Sequence, residues 1–194
     1  LILIAILSFI IFINWPLIQK KYYLYKAEKL GNCYFYYHNS IEFITSYETK
    51  SVSRYPLLGA DINTFQIVDI YCDTTDDCLN CAIWAKDSKN VFWKAEVLTD
   101  ADPYTFVPLS MSGYSRDHIH VFYKAKNITV ANPSEFKLLN DDFARDNQFV
   151  YFKDKPLTQV KHPDSFEILG HYCWRDASLV YLNGEPVPEA DPKT

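Results

Sequence analysis

Arg116-Asp117-His118-Ile119-His120-Val121-Phe122-Tyr123 is one of four copies of a single pattern. A basic residue precedes Asp, three variable residues follow, and then come Val and an aromatic. The other copies are Lys86-Asp87-Ser88-Lys89-Asn90-Val91-Phe92-Trp93, Arg145-Asp146-Asn147-Gln148-Phe149-Val150-Tyr151-Phe152 and Arg175-Asp176-Ala177-Ser178-Leu179-Val180-Tyr181-Leu182. The aspartates step by 117−87 = 30, 146−117 = 29 and 176−146 = 30. A fixed period of this size marks stacked supersecondary units.

A second motif keeps the same register. It reads Ala101-Asp102-Pro103-Tyr104-Thr105-Phe106, Ala131-Asn132-Pro133-Ser134-Glu135-Phe136, Lys161-His162-Pro163-Asp164-Ser165-Phe166 and Ala190-Asp191-Pro192-Lys193-Thr194. Its prolines step by 30, 30 and 29. A degenerate earlier copy is Ala60-Asp61-Ile62-Asn63-Thr64-Phe65. Two motifs in one register exclude chance periodicity.

Within one unit, Phe106-Val107-Pro108-Leu109 reads as a strand and Tyr114-Ser115-Arg116 as a second. Asp117 to His120 is a turn, since Asp bonds its own downstream amides in Asx turns. Val121 to Lys124 is a β-favouring third strand. Lys124-Ala125-Lys126-Asn127 reads as a hairpin turn and Ile128-Thr129-Val130 as a fourth strand. The matching Asn183-Gly184 is a strong hairpin signal. In Val121-Phe122-Tyr123 successive side chains alternate between faces, so both faces are apolar and both need cover. Stacked neighbours supply it. The expected fold is all-β: four-strand meander units of about 30 residues in a propeller-like or solenoid-like stack.

The start of the chain is a different material. From Leu1 to Ile18 it is apolar with one amide, Asn14, which is the lower edge of spanning length. Residues 1–18 are therefore expected to be a transmembrane anchor helix. Residues 19–59 follow as a juxtamembrane segment with a degenerate first repeat around Cys33-Tyr34-Phe35-Tyr36-Tyr37-His38, and 60–194 as the β-repeat domain. Lys20, Lys21, Lys26 and Lys29 would draw their flank toward the cytoplasm, while the cysteines favour an oxidising side. The expected location is membrane-anchored, with the folded part in the periplasm or outside the cell.

The 194 residues are 48% hydrophobic and 16% aromatic, as suits a folded protein. The net charge of −5 is spread along the chain, which excludes a basic nucleic-acid footprint. Phe65 to Trp84 is nineteen residues, where Phe106 to Tyr114 is eight, so residues 68–82 are an insertion at a repeat junction. It carries Cys72, Cys78 and Cys81. A disulfide is one reading, free thiols another; zinc lacks a second ligand pair. Asp73, Asp76 and Asp77 lack the Gly and terminal Glu of a calcium hand loop.

No catalytic, cofactor or metal set is predicted. Asp87, Asp117, Asp146 and Asp176 read as structural turn formers, because a turn needs one carboxylate in each unit and catalysis does not. On that reading Asp117→Asn costs much less than Asp117→Ala. The basic residue before each Asp is expected to pair with carboxylates of a neighbouring unit. His118 and His120 lack a third metal ligand, and no serine has a Gly-x-Ser-x-Gly context.

The spacing Asp-x-x-x-Val-aromatic, in register with Ala101-Asp102-Pro103-Tyr104-Thr105-Phe106 and Ala190-Asp191-Pro192-Lys193-Thr194, resembles the DKNYY repeat family of bacterial proteins over about residues 60–194. No copy has Lys-Asn directly after Asp. The resemblance implies the repeated β fold and an envelope setting, and carries over no site. The functional expectation is a membrane-tethered, non-enzymatic binding or scaffolding module with a protein or glycan partner. One alternative is a cell-wall or glycan binder that uses Tyr22, Tyr23, Tyr36 and Tyr37 as stacking platforms. Another is an enzyme with its site in the cysteine loop.

Overall fold

A computed structural model describes residues 28–31, 33–46, 52–68, 84–110, 112–170 and 172–193. The expected anchor over 1–18, together with Tyr22 and Tyr23, lies outside them. So does the insertion 68–82, apart from Val68, with Cys72, Cys78 and Cys81. No helix among the described residues is long and apolar enough to cross a membrane. The 3-10 turn Pro163–Ser165 is the only helical segment among them.

The strands form five four-stranded antiparallel sheets, each a meander in chain order. The first holds β1 Glu28–Gly31, β2 Tyr34–Tyr37, β3 Ser40–Ser46 and β4 Val52–Pro56. The second holds β5 Gln66–Val68, β6 Trp84–Lys86, β7 Val91–Trp93 and β8 Glu96–Val97. In the third are β9 Val107–Pro108, β10 Tyr114–Arg116, β11 Val121–Tyr123 and β12 Lys126–Asn127. The fourth has β13 Lys137–Leu138, β14 Phe143–Arg145, β15 Val150–Phe152 and β16 Lys155–Pro156. The fifth has β17 Glu167–Ile168, β18 Cys173–Arg175, β19 Val180–Leu182 and β20 Glu185–Val187. The chain divides into two compact units, Leu1–Val97 and Leu98–Thr194.

The fourth strand differs from expectation. It is Lys126–Asn127, not Ile128–Val130, and the turn before it is two residues, not four. Lys124 adopts φ 56°, as Lys94, Lys153 and Asn183 do at the same place. A two-residue turn with positive φ matches the right-handed twist of its strands, so pairing resumes at once. Ile128 then gives its N–H to the Val121 carbonyl at 2.8 Å and buries its side chain, while Val130 is left exposed.

In the first unit, Tyr34, Ile41 and Phe43 of the first sheet pack with Leu57 against Ala85 and Phe92 of the second. Here β2 and β3 are joined by His38-Asn39, at φ 48° and 64°, where the other sheets have the Asp turn. That is why no copy of the Asp pattern marks this sheet.

In the second unit, register decides the packing. Tyr114 lies opposite Tyr123 and Arg116 opposite Val121, so Tyr114, Val121 and Tyr123 share one face. That face packs on Ala144 and Tyr151 of the next sheet, with Phe136 between. Phe143 and Val150 repeat the arrangement against Trp174 and Tyr181, with Phe166 between. In the third and fourth sheets the strand triplet thus buries apolar groups on both sides. Val121, Phe122, Val150 and Tyr151 are all 0% exposed. At about 1.5–3 kcal/mol for each fully buried large side chain, this stacking is the main source of stability.

Candidate functional site

The repeated aspartates are the most deeply buried acids described, at 2–4% exposure. Each sits between the second and third strands of its sheet. One carboxylate oxygen of Asp117 accepts the N–H groups of Ile119 at 2.7 Å and His120 at 2.6 Å, which closes an Asx turn. Asp87 does the same with Lys89 and Asn90, Asp146 with Gln148 and Phe149, and Asp176 with Ser178 and Leu179.

The other oxygen reaches the second motif. Asp87 Oδ2 accepts the Asp61 N–H at 3.0 Å, Asp117 Oδ2 that of Asp102 at 2.9 Å, and Asp146 Oδ2 that of Asn132 at 3.0 Å. Asp176 Oδ2 takes both Lys161 at 2.9 Å and His162 at 3.2 Å. The two motifs that share a register in sequence are therefore joined by one carboxylate in every unit. Tyr151 and Tyr181 add a phenol O–H to Asp146 at 2.7 Å and to Asp176 at 3.2 Å.

A hydroxyl completes the clasp. Thr64 Oγ1 accepts the Ser88 N–H, Thr105 Oγ1 that of His118 and Ser165 Oγ that of Ala177. The fourth position is Glu135. The second motif is also an Asx turn in its own right. Asp61 receives the Asn63 N–H, Asp102 that of Tyr104, Asn132 that of Ser134 and Asp191 that of Lys193.

The electrostatics follow. Burial alone would raise these carboxyls. The converging N–H donors outweigh it and hold Asp87, Asp117 and Asp146 below the ordinary carboxylate range. Asp176 lies furthest below, with N–H bonds from Ser178, Lys161 and Leu179 and the Ser178 hydroxyl against its burial. Burial, and then the Asp176 charge, pushes the Tyr181 phenol up to about 12. These acids are ionised at neutral pH, and their oxygens already face protein donors.

The basic residues act locally. Arg175 pairs with Glu167 on its own sheet at 2.8 Å, and Arg145 pairs with Asp164 on the link to the next sheet. Arg116 donates to the Pro133 carbonyl, and Arg175 to the Pro192 carbonyl at 2.7 Å. A carbonyl therefore stands where a carboxylate partner was expected for Arg116. His118 Nδ1 lies 2.8 Å from Thr105 Oγ1 and 3.2 Å from Asp102 Oδ2, and His120 Nδ1 lies 3.3 Å from Asp117 Oδ2. The two His118 contacts converge on one ring nitrogen. No group of three potential metal ligands occurs among the described residues.

The aromatic candidates sit on the first sheet. Tyr36 is half-buried and gives its O–H to Asn39 Oδ1 at 3.0 Å. Tyr37 stacks on His38 with ring centres 4.0 Å apart and planes at 9°, and the Arg54 guanidinium is 6.0 Å from its centre. Cys33 is disulfide-bonded and Cys173 is a free thiol. Neither was singled out in the sequence; Cys33 lies far from the clustered cysteines and carries no spacing signal.

A family model for the DKNYY family matches residues 4–126, which is 126−4+1 = 123 of 194 residues. The chain belongs to the DKNYY family. The match begins well before residue 60, takes in the whole first sheet and ends within β12. The DKNYY match thus spans the sheet without an Asp turn as well as the first two sheets with one. No curated protein and no solved structure matches the chain.

Proposed function

We propose that this DKNYY chain is a non-enzymatic binding or scaffolding module of the bacterial envelope, held to a membrane by residues 1–18. The observation that carries this reading is the use of the repeated acids. Each carboxylate accepts three or more bonds from the protein itself, which leaves little acceptor capacity for a substrate. Stacking of like sheets within a unit supports a propeller-like or solenoid-like stack, an architecture that offers broad surfaces to partners. The bonded state of Cys33 supports an oxidising compartment, so the folded part faces the periplasm or the exterior.

The test compares Asp117→Asn with the parent chain. Under this reading its melting temperature falls, and any partner binding falls only in proportion. An Asp117→Asn chain with native melting temperature and abolished binding would place the working site on the acids and overturn the proposal.

A second reading is glycan binding. It is favoured by the flat Tyr37–His38 stack beside Arg54, since sugars lie on such ring faces. Co-sedimentation with purified peptidoglycan tests it. Retention that is lost in Tyr37→Ala supports it, and no retention of the parent chain disposes of it.

A further inference from the structure

The first compact unit presents an apolar corner where the chain passes from the first sheet to the second. Leu57 to Ala60 is a turn, closed by the Ala60 N–H on the Leu57 carbonyl at 3.3 Å, with Gly59 at φ 81°. The same turn closes at 98–101, 128–131, 157–160 and 187–190. Its first corner residue is Thr99, Thr129, Thr158 and Pro188 in those copies, and Leu58 here. Leu58 is 81% exposed, so packing does not call for a leucine. Ile62 stands where the later copies have Pro103, Pro133, Pro163 and Pro192, and it too is exposed. Tyr55, half exposed, precedes the turn on β4. Register places this corner at the end of the sheet where the chain arrives. Glu28 pairs with Tyr36, Tyr36 with Ile41, and the Leu57 N–H bonds the Ile41 carbonyl at 2.8 Å. The start of β1 and the exit from β4 are therefore level, three strand spacings or about 14 Å apart.

We propose that Leu58, flanked in the chain by Tyr55 and Ile62, rests in the headgroup region of the membrane that holds residues 1–18. The proposal rests on the anchor reading of that segment. Tether length favours a bilayer as the occupant. Only residues 19–27 separate the apolar segment from Glu28, and a link of that length reaches about 35 Å at full extension. This end of the sheet is thus held within reach of the bilayer, at high effective concentration, while any other partner must find it by diffusion. Charge agrees. Residues 20–29 hold Lys20, Lys21, Lys26 and Lys29 against Glu28 alone, which suits anionic headgroups. The nearby acids are engaged: Asp61 takes the Asn63 N–H and the Thr64 hydroxyl, and Glu42 lies 3.8 Å from Arg54. Tyrosine suits a bilayer interface, and so small an apolar corner adds a weak, reversible contact to the anchor.

The test places the full chain, with Leu58→benzoylphenylalanine, in vesicles of phosphatidylethanolamine and phosphatidylglycerol. After irradiation, mass spectrometry reads the adducts. Lipid adducts are expected at position 58. They should be absent from Glu96→benzoylphenylalanine, on β8 next to the Lys94 turn. That turn lies at the far end of the same unit, where Tyr34 gives its hydroxyl to the Lys94 carbonyl at 2.9 Å. Both side chains are exposed, so both variants fold, and circular dichroism checks this. Alkaline extraction of the vesicles reads the anchor by itself. A chain that withstands extraction yet gives no lipid adduct at 58 overturns the proposal and leaves the anchor standing. Equal adducts at 58 and 96 overturn it as well, as does a cross-link from 58 to a second copy of the chain in place of lipid. A chain released by extraction overturns the anchor reading and the proposal with it.

Discussion

Asp176 shows what one side chain does in this fold. Its two oxygens receive N–H groups from Ser178, Leu179, Lys161 and His162 and hydroxyls from Ser178 and Tyr181. Alanine there orphans several buried donors at about 1–3 kcal/mol each, so Asp176→Ala should lose about 3 kcal/mol or more. Asparagine is no substitute. Its oxygen can keep the turn, but its NH₂ then faces the Lys161 and His162 N–H groups, donor against donor. Asp176→Asn should therefore cost about 1–3 kcal/mol, not the small loss expected of a turn alone. Asp117→Asn should be milder, because its NH₂ faces one backbone N–H, that of Asp102, in place of two, and His120 Nδ1 can accept from it in the tautomer protonated at Nε2. Urea midpoints of the three variants test the order, and equal losses at 117 and 176 would refute it. A short acceptor at the head of a strand is visible in a sequence. The destination of its second oxygen is not, since that bond spans 14 or 15 residues, and 26 at Asp87, and exists only once two segments have packed.

At the scale of elements, each clasp is one module with interchangeable parts. Thr64, Thr105 and Ser165 each give a hydroxyl to the turn after the Asp, and Glu135 does not. Glu135→Thr places a hydroxyl at the corresponding point beside Asn147. It should raise stability by about 0.5–1.5 kcal/mol, read as an increased melting temperature. Gly113 opposes the Lys124 turn at φ 122°, and a Cβ there would meet Lys124 Cγ at 2.7 Å. Gly113→Ala should destabilise by about 1 kcal/mol or more, from the strained φ and the contact together. The four-strand meander is legible from alternating apolar residues and turn chemistry. The position of the fourth strand is not. Lysine is a poor cue for positive φ, so Lys124-Ala125 hides a two-residue turn that Asn183-Gly184 makes plain. The first sheet is hidden too, because His38-Asn39 replaces the Asp turn on which the period was counted.

For the molecule, the repeated acids make pH a collective variable. The folded carboxyls of Asp87, Asp117, Asp146 and Asp176 lie below their unfolded value of about 3.9. The stability they supply is fully present above that value and drains as pH falls through the folded values. Tyr181 acts at the other end. Its folded value of about 12 exceeds the unfolded one near 10, so its contribution holds below pH 10 or so and is lost on the way to 12. Melting temperature should thus vary little through the neutral range as far as these groups decide it, then drop steeply below about pH 4. Four groups uptake protons on unfolding together, so the slope there should exceed that of a single acid. Within each compact unit, stacked sheets share a core, so protonating one clasp weakens the sheet stacked on it. Asp176→Asn removes the most depressed of the four. Its chain should be less stable at pH 7 and show a shallower acid slope, so that the two melting curves converge toward pH 2. Parallel curves over that span would mean that acid unfolding is driven by other carboxylates, and that the clasps hold their sheets by shape and packing alone.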